Sequence, residues 1–379
     1  EDNNTNDITL KYIIIRVDSN RLYFSNIIDE WNYDYDTVFE NNFEKIGRFT
    51  FLSNIFVPYT ELNAEALISN MVDHKQIKTV DIDDYISYNM NKNGFCFTNL
   101  LEETSGELYD RLAIIKDDVQ NELNKRINRN GIRGDLEKYV DLIFRTNPTK
   151  FKAMFGNNIY DKMADGTIQV GAFIDCVPRN TNENIVSPFR AISMVHIDIY
   201  SESSIADVVY SFRNTWYKKL ECKFNNLDKL KEVSSRGYWK DKIAGIFNIW
   251  ISLEDEITDH GLSVLDTSTL KDGQVIPYKA FRRAVTPANN LNFISASIQY
   301  DSSHKWCSKY RMKFGEAYVF DTTKTPHTGF TYINGSNKSR KSCECRIVFF
   351  QNIDASNISS GGACPILAMD RGDGLQIGH

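Results

Sequence analysis

The chain has 379 residues, 42% of them hydrophobic, and a formal net charge of −6. That is enough for one large domain or two modest ones with a real core, and it argues against nucleic acid as the main partner, which needs a basic surface. No apolar run approaches the roughly 20 residues of a membrane span, and seven cysteines in a chain this long make no disulfide framework. Reduced, buried thiols are expected instead, in a soluble protein of an intracellular reducing compartment. The first residue is Glu1 rather than Met, which leaves room for a removed targeting segment.

In chain order, the polar stretch from Glu1 to Asn6 predicts a frayed start, and Ile8 to Val17 reads as a strand around Tyr12-Ile13-Ile14-Ile15. Asn20 to Phe51 mixes aromatics and acids without a clear period. Asn63 to Val72 has helical spacing. Asp81, Asp83 and Asp84 form an acidic cluster that lacks the Gly and Glu of a calcium loop and reads as a solvated face; a loop then enters a strand at Gly94-Phe95-Cys96-Phe97. The clearest helix follows. Ser105 is a fitting N-cap, Leu108, Leu112, Ile115, Val119 and Leu123 make an apolar stripe, and Lys125 and Arg126 suit its C-terminal end. Asn130-Gly131 and Gly134 break the pattern, and a second helix is expected from Asp135 through Tyr139, Leu142 and Ile143 to Asn147-Pro148. This pair should buttress one face of a later sheet.

Strands are expected at Gln169 to Val177, Ala191 to Tyr200, Ile246 to Leu253, Gly261 to Leu265, Phe293 to Ile298, Ala317 to Phe320 and Cys345 to Phe350. Pro178 to Ser187 reads as a polar loop, and Ser203 to Tyr217 as a helical insertion with Ile205, Val208, Val209, Phe212 and Trp216 on one stripe. Leu270 to Asn292 reads as a loop whose Arg282-Arg283 is either an anion handle or ordinary surface charge. From Ala355 the chain looks like a mobile tail. Many short strands with irregular loops predict an α+β molecule with a jelly-roll core. The division is residues 1–165 (mixed N-terminal buttress), 166–353 (core, with insertions) and 354–379 (tail).

The chemistry is concentrated in Met194-Val195-His196-Ile197-Asp198. Alternation along a strand puts His196 and Asp198 on the same face. A second histidine, His327, lies in Pro326-His327-Thr328-Gly329-Phe330. Two imidazoles and one carboxylate make the facial triad of non-haem Fe(II) oxygenases. His-x-Asp alone would equally be a buried histidine paired with a carboxylate. Downstream, Arg340, Ser342, Glu344 and Arg346 share one face of a strand, with Lys341, Cys343 and Cys345 on the other. An arginine fork beside a hydroxyl is a good carboxylate clamp.

These residues resemble the Fe(II)/2-oxoglutarate-dependent dioxygenases, in the branch that oxidises natural products, with a further resemblance to the algal kainoid synthases, which close a ring on a prenylated acidic amino acid; hydroxylation, desaturation and oxidative cyclisation are the alternative outcomes it implies. The resemblance rests on Arg190 ahead of His-x-Asp, Trp250 in the next strand, Pro326 to Phe330, and the Arg-x-Ser-x-Glu-x-Arg run from Arg340 to Arg346. It covers roughly residues 185 to 352. One departure is Ile251, where relatives often carry an arginine after the tryptophan. The resemblance implies a double-stranded β-helix, with His196, Asp198 and His327 holding Fe(II) inside one open end. It also implies 2-oxoglutarate chelated to the metal with its distal carboxylate on Arg340 (beside Ser342) or Arg346, and O2 as co-reactant. The retained Asp198 points to an oxygenase or oxidase, because halogenases of the superfamily lack that carboxylate.

A small-molecule substrate with a carboxylate and an apolar part would suit Arg190, Arg213, Trp250 and Tyr300, each of which could also be plain packing or surface charge. No nucleic acid or membrane partner is expected. Two other readings stand beside this one: an iron oxidase independent of 2-oxoglutarate, and a non-catalytic jelly-roll binding module.

Overall fold

Among the described residues, alternating apolar residues and well-placed caps build three sheets and a layer of helices. A computed structural model describes residues 12–18, 21–26, 55–58, 77–84, 88–103, 106–121, 129–180, 195–200, 205, 208, 241–258, 261–282, 291–330 and 340–352. The central sheet has the order β5 (Phe95–Asn99), β12 (Glu316–Asp321), β7 (Ile243–Ser252), β14 (Lys341–Gln351), β6 (Ile168–Asn180), all antiparallel. A second sheet runs β13 (His327–Phe330), β8 (Gly261–Leu265), β11 (Trp306–Ser308), β4 (Thr79–Asp81), antiparallel except for the β11–β4 pair. A third runs β10 (Leu291–Ile298), β9 (Val275–Arg282), β3 (Ile55–Pro58), β1 (Tyr12–Asp18), β2 (Arg21–Asn26) and is also antiparallel.

Helices α1 (Met90–Asn93), α2 (Gly106–Asn121), α3 (Arg129–Thr146), α4 (Pro148–Phe155) and α5 (Asn157–Ala164) precede most of these strands. Alternation splits the central sheet into two faces. Outward, Phe247 and Ile249 of β7, Cys343, Cys345, Ile347 and Phe349 of β14, and Val319 of β12 pack against Leu112, Leu136, Ile143, Phe151 and Phe155 of the helices. Inward, Trp250, Tyr318 and Phe320 meet Leu262 and Val264 of β8 and Cys307 of β11. Burying each such side chain is worth about 1.5–3 kcal/mol. Cys96, Cys176, Cys307, Cys343 and Cys345 are buried free thiols, as expected for reduced cysteines.

Most of the expected elements that fall on described residues are present, and several differ in their bounds. Helix α3 starts at Arg129 and runs through Gly131 and Gly134 rather than starting at Asp135. Ile132, Leu136, Tyr139, Val140 and Ile143 are buried on one stripe, which outweighs the roughly 1 kcal/mol that each glycine costs relative to alanine. Pro148 starts a new helix as well as ending the last: Asn147 caps it by accepting from the Lys150 amide at 3.0 Å, and proline suits the first helical position.

Strand β6 continues past Val177 to Asn180, so Pro178 and Arg179 are not loop residues. Pro178 is tolerated because β6 is an edge strand. The expected loop from Leu270 to Asn292 contains β9, paired along its whole length with β10. Its proline, Pro277, lies beyond the residues that pair with β3, so only one side of it needs a ladder. Within the Ala191 to Tyr200 run, residues 195–200 form single bridges at His196 and Ile197 rather than a regular strand. Of the insertion, Ile205 and Val208 are helical. The helical spacing at Asn63 to Val72, the tail, Arg190, Arg213 and Arg283 lie outside the described residues.

Candidate metal centre

His196 and His327 exchange backbone hydrogen bonds, His196 N to His327 O at 3.0 Å and His327 N to His196 O at 2.9 Å. Such a pair is directly opposed in an antiparallel ladder, so both side chains leave on the same side. Ile197, between them and Asp198, bonds the other way, to Ala296 of β10 at 2.7 and 3.2 Å. The segment therefore bridges β13 and β10. Asp198, two residues beyond His196, joins the histidines. Its Oδ1 is 3.4 Å from His196 Nε2 and 3.8 Å from His327 Nε2, and ligand atoms of all three residues lie within 4.8 Å of one another. Ligands 2.0–2.2 Å from one ion at right angles sit about 3 Å apart, so small side-chain movements suffice to close this cluster on a cation.

His327 is prepared for that role. Its Nδ1–H donates to the Thr325 carbonyl at 3.1 Å, which leaves Nε2 as the bare nitrogen facing Asp198. Thr325 is in turn held by donating its hydroxyl to the Gly94 carbonyl at 2.7 Å. Burial first, then the neighbouring His196, pushes His327 down to about 4 despite the opposing pull of Asp198, so it is neutral at pH 7. Burial alone would raise the Asp198 carboxyl, but the Arg346 guanidinium and the two imidazoles outweigh it and hold the group well below the usual carboxylate range.

Behind Asp198 lies a chain of buried charges. Arg346 donates from Nε (3.3 Å) and Nη2 (3.0 Å) to Asp198 Oδ2, from Nη1 to Asp175 Oδ2 (2.7 Å), and from Nη2 to Glu344. Glu344 also takes Arg179 Nε at 3.0 Å and Asn248 Nδ2 at 2.8 Å. Burial opposes the charged form of Glu344, yet the two guanidiniums bring it down to about 2. Strand register explains the grouping: Arg346 is opposite Asp175 on β6 and Asn248 on β7. Asp175 pairs with Arg346 and Phe173 with Ile347, so Ile174 is an extra residue, a bulge that turns Asp175 inward.

A small pocket, partly open to solvent, lies beside the cluster and is lined by His196, His327, Arg340, Trp250, Asn248 and Phe320 among others. The Arg340 guanidinium sits 4.8 Å from the Trp250 ring, a cation–π contact that orients it. Ser342 of β14 is fully buried, and its hydroxyl has no hydrogen-bond partner among the described residues. Neither Arg346 nor Tyr300, which is half-buried past the end of β10, is part of the lining. Sequence reading missed Asp175, Arg179 and Asn248. The available signal was an inward charge at alternate positions of an otherwise apolar strand.

Residues 160–350, just over half of the chain, match the family described as "YDMC: Oxidoreductase/YMDC permease-like domain". The chain belongs to this family. The matched stretch contains the whole cluster and its charge chain. Among the described residues no helix is long and apolar enough to cross a membrane. No curated protein matches the chain significantly. Similar solved structures include a variant of the iron and alpha-ketoglutarate-dependent endoperoxidase NvfI, at 16% identity over 72% of this chain and 82% of that one, TM-score 0.48. The epimerase SnoN, in complex with Fe3+ and alpha-ketoglutarate, is 12% identical over 69% and 80%, TM-score 0.32. The non-heme alpha-ketoglutarate-dependent carbocyclase SnoK from nogalamycin biosynthesis is 9% identical over 72% and 87%, TM-score 0.31.

Proposed function

We propose that this chain is an Fe(II)/2-oxoglutarate-dependent oxygenase that oxidises a C–H bond of a small natural product bearing a carboxylate. The observation that carries the reading is the convergence of His196, Asp198 and His327 beside a cavity lined by Arg340. Two imidazole nitrogens and one carboxylate oxygen are the donor set of non-haem iron. The bridging of β13 and β10 by the motif segment makes one continuous wall opposite the central sheet, which supports a double-stranded β-helix.

Iron with 2-oxoglutarate, when bound, supplies the activation of O2. The chain's own residues do the rest. His196, His327 and Asp198 hold the metal. Arg340, steadied by Trp250, takes the distal carboxylate of the cosubstrate, with the Ser342 hydroxyl as second donor. Arg346 is committed to three carboxylates and is the weaker choice for that task. Phe320 and Leu262 keep the cavity wall dry, Trp250 supplies the apolar side of the substrate pocket, and Arg190 and Arg213 are candidate partners for the substrate carboxylate.

Anaerobic addition of 2-oxoglutarate to the Fe(II)-loaded protein tests this. A visible charge-transfer band is expected for wild type and absent for Asp198→Ala. Arg340→Gln should need at least tenfold more 2-oxoglutarate to reach the same band. A wild type that binds Fe(II) but gives no band at any concentration contradicts the cosubstrate assignment.

A further inference from the structure

We infer that Arg346 is a positioning residue that fixes how Asp198 presents itself to the metal, and that Asp175 and Glu344 hold Arg346 to that task. The inference rests on the reading of His196, Asp198 and His327 as a metal centre. Arg346 lies on β14 and Arg340, six residues earlier, immediately precedes that strand, but their surroundings differ. Arg340 stacks on Trp250 and lines the cavity. Arg346 is surrounded by carboxylates and aims two N–H groups at one atom, Asp198 Oδ2.

Asp175 grips Arg346 at both ends. Its Oδ1 accepts from the Arg346 backbone amide at 3.2 Å and its Oδ2 from Nη1 at 2.7 Å. Glu344, itself held by Arg179 and Asn248, takes Nη2. A guanidinium held in this way is a fixed fork rather than a mobile charge. It occupies Asp198 Oδ2 and leaves only Oδ1, the atom that faces both histidine nitrogens, for a metal. An unclamped carboxylate is free to rotate and chelate through both oxygens, which would close a coordination position that an oxygenase needs open. Arg346 therefore acts through Asp198, and its partners act through Arg346.

Co(II) is the probe, because its visible d–d bands report coordination number and its affinity can be measured without turnover. Wild type, Arg346→Lys, Asp175→Asn and Arg340→Lys are titrated side by side, after thermal denaturation has shown each to be folded. Lysine keeps the charge of Arg346 without the fork. Arg346→Lys and Asp175→Asn should weaken Co(II) binding by about 10–100-fold, the range for loss of an outer partner of a metal ligand, and change the d–d band. Arg340→Lys should keep wild-type Co(II) affinity and band while raising the 2-oxoglutarate needed for half-saturation at least tenfold. Wild-type affinity and band in both Arg346→Lys and Asp175→Asn overturns the inference, as does an Arg346→Lys with wild-type Co(II) affinity and band that, saturated with Co(II), needs at least tenfold more 2-oxoglutarate, which makes Arg346 the cosubstrate's arginine. A wild type that takes up no Co(II) fails earlier, at the metal centre itself, and overturns both.

Discussion

The two faces of β14 carry opposite chemistries on one backbone. Cys343, Cys345, Ile347 and Phe349 point outward into the helix-covered core, where Phe349 packs against Phe151, Phe155 and Phe247 at ring distances of 6.3, 5.2 and 5.8 Å. Glu344 and Arg346 point inward, into the charge chain behind the metal cluster. The outer face is non-directional: each contact adds area, and conservative swaps are tolerated. The inner face is directional: each group completes the hydrogen bonding of its neighbour, so removing one leaves another buried charge unpaired. One strand therefore joins the stability of the fold to the geometry of the centre.

Substitutions on the two faces should separate these roles. Glu344→Ala leaves Arg179 and Arg346 without their shared partner; a loss of about 3–5 kcal/mol in denaturant unfolding is expected, together with weakened metal binding. Phe349→Ala should cost about the same, roughly 3–5 kcal/mol, yet leave metal affinity of the folded protein within twofold of wild type by calorimetry. If the two variants lose metal affinity equally, the faces are not independent.

Of the two faces of β14, acid should act on the inner one. His327 is held at about 4 when folded against 6.5 unfolded. Between those values the unfolded chain binds a proton that the folded chain refuses, so metal-free stability falls as pH drops from 6.5 towards 4 and is unaffected above that window. The size is on the order of 3 kcal/mol at about 1.4 kcal/mol per pH unit. Urea unfolding at pH 7, 5.5 and 4.5 checks it, with His327→Gln removing the slope that His327 contributes. A wild type and His327→Gln with the same pH dependence would contradict the assignment. The smallest effect is Ile347→Val on the outer face, about 0.5–1.5 kcal/mol with no change at the centre.

Much of this was legible in the sequence, for local reasons. His196 and Asp198 share a face because they are two apart, and the stripe from Leu108 to Ile115 marks α2 whatever surrounds it. Within the run, Cys343 and Cys345 were separated from Glu344 and Arg346 by alternation alone. Alternation could not rank Arg340 against Arg346, since it puts both on the same face; the difference comes from Asp175 and Asp198, which lie far away in the chain. Asp175, Arg179 and Asn248 were missed for the same reason. Their meaning depends on cross-strand register and on the bulge at Ile174, neither of which a local pattern encodes. Gly131 and Gly134 misled in the opposite sense: local breakers were overridden by the buried stripe of α3. The loop reading of Leu270 to Asn292 gave way to the ladder between β9 and β10.

The most direct test of the central claim is succinate formation from 2-oxoglutarate with Fe(II), ascorbate and O2, comparing wild type with Asp198→Ala. It needs no knowledge of the substrate, because uncoupled turnover also releases succinate. Succinate from wild type, reduced to background in Asp198→Ala while the variant remains folded, is the predicted result. Equal succinate from both proteins, or none from an Fe(II)-loaded wild type across a panel of carboxylate-bearing natural products, would contradict it.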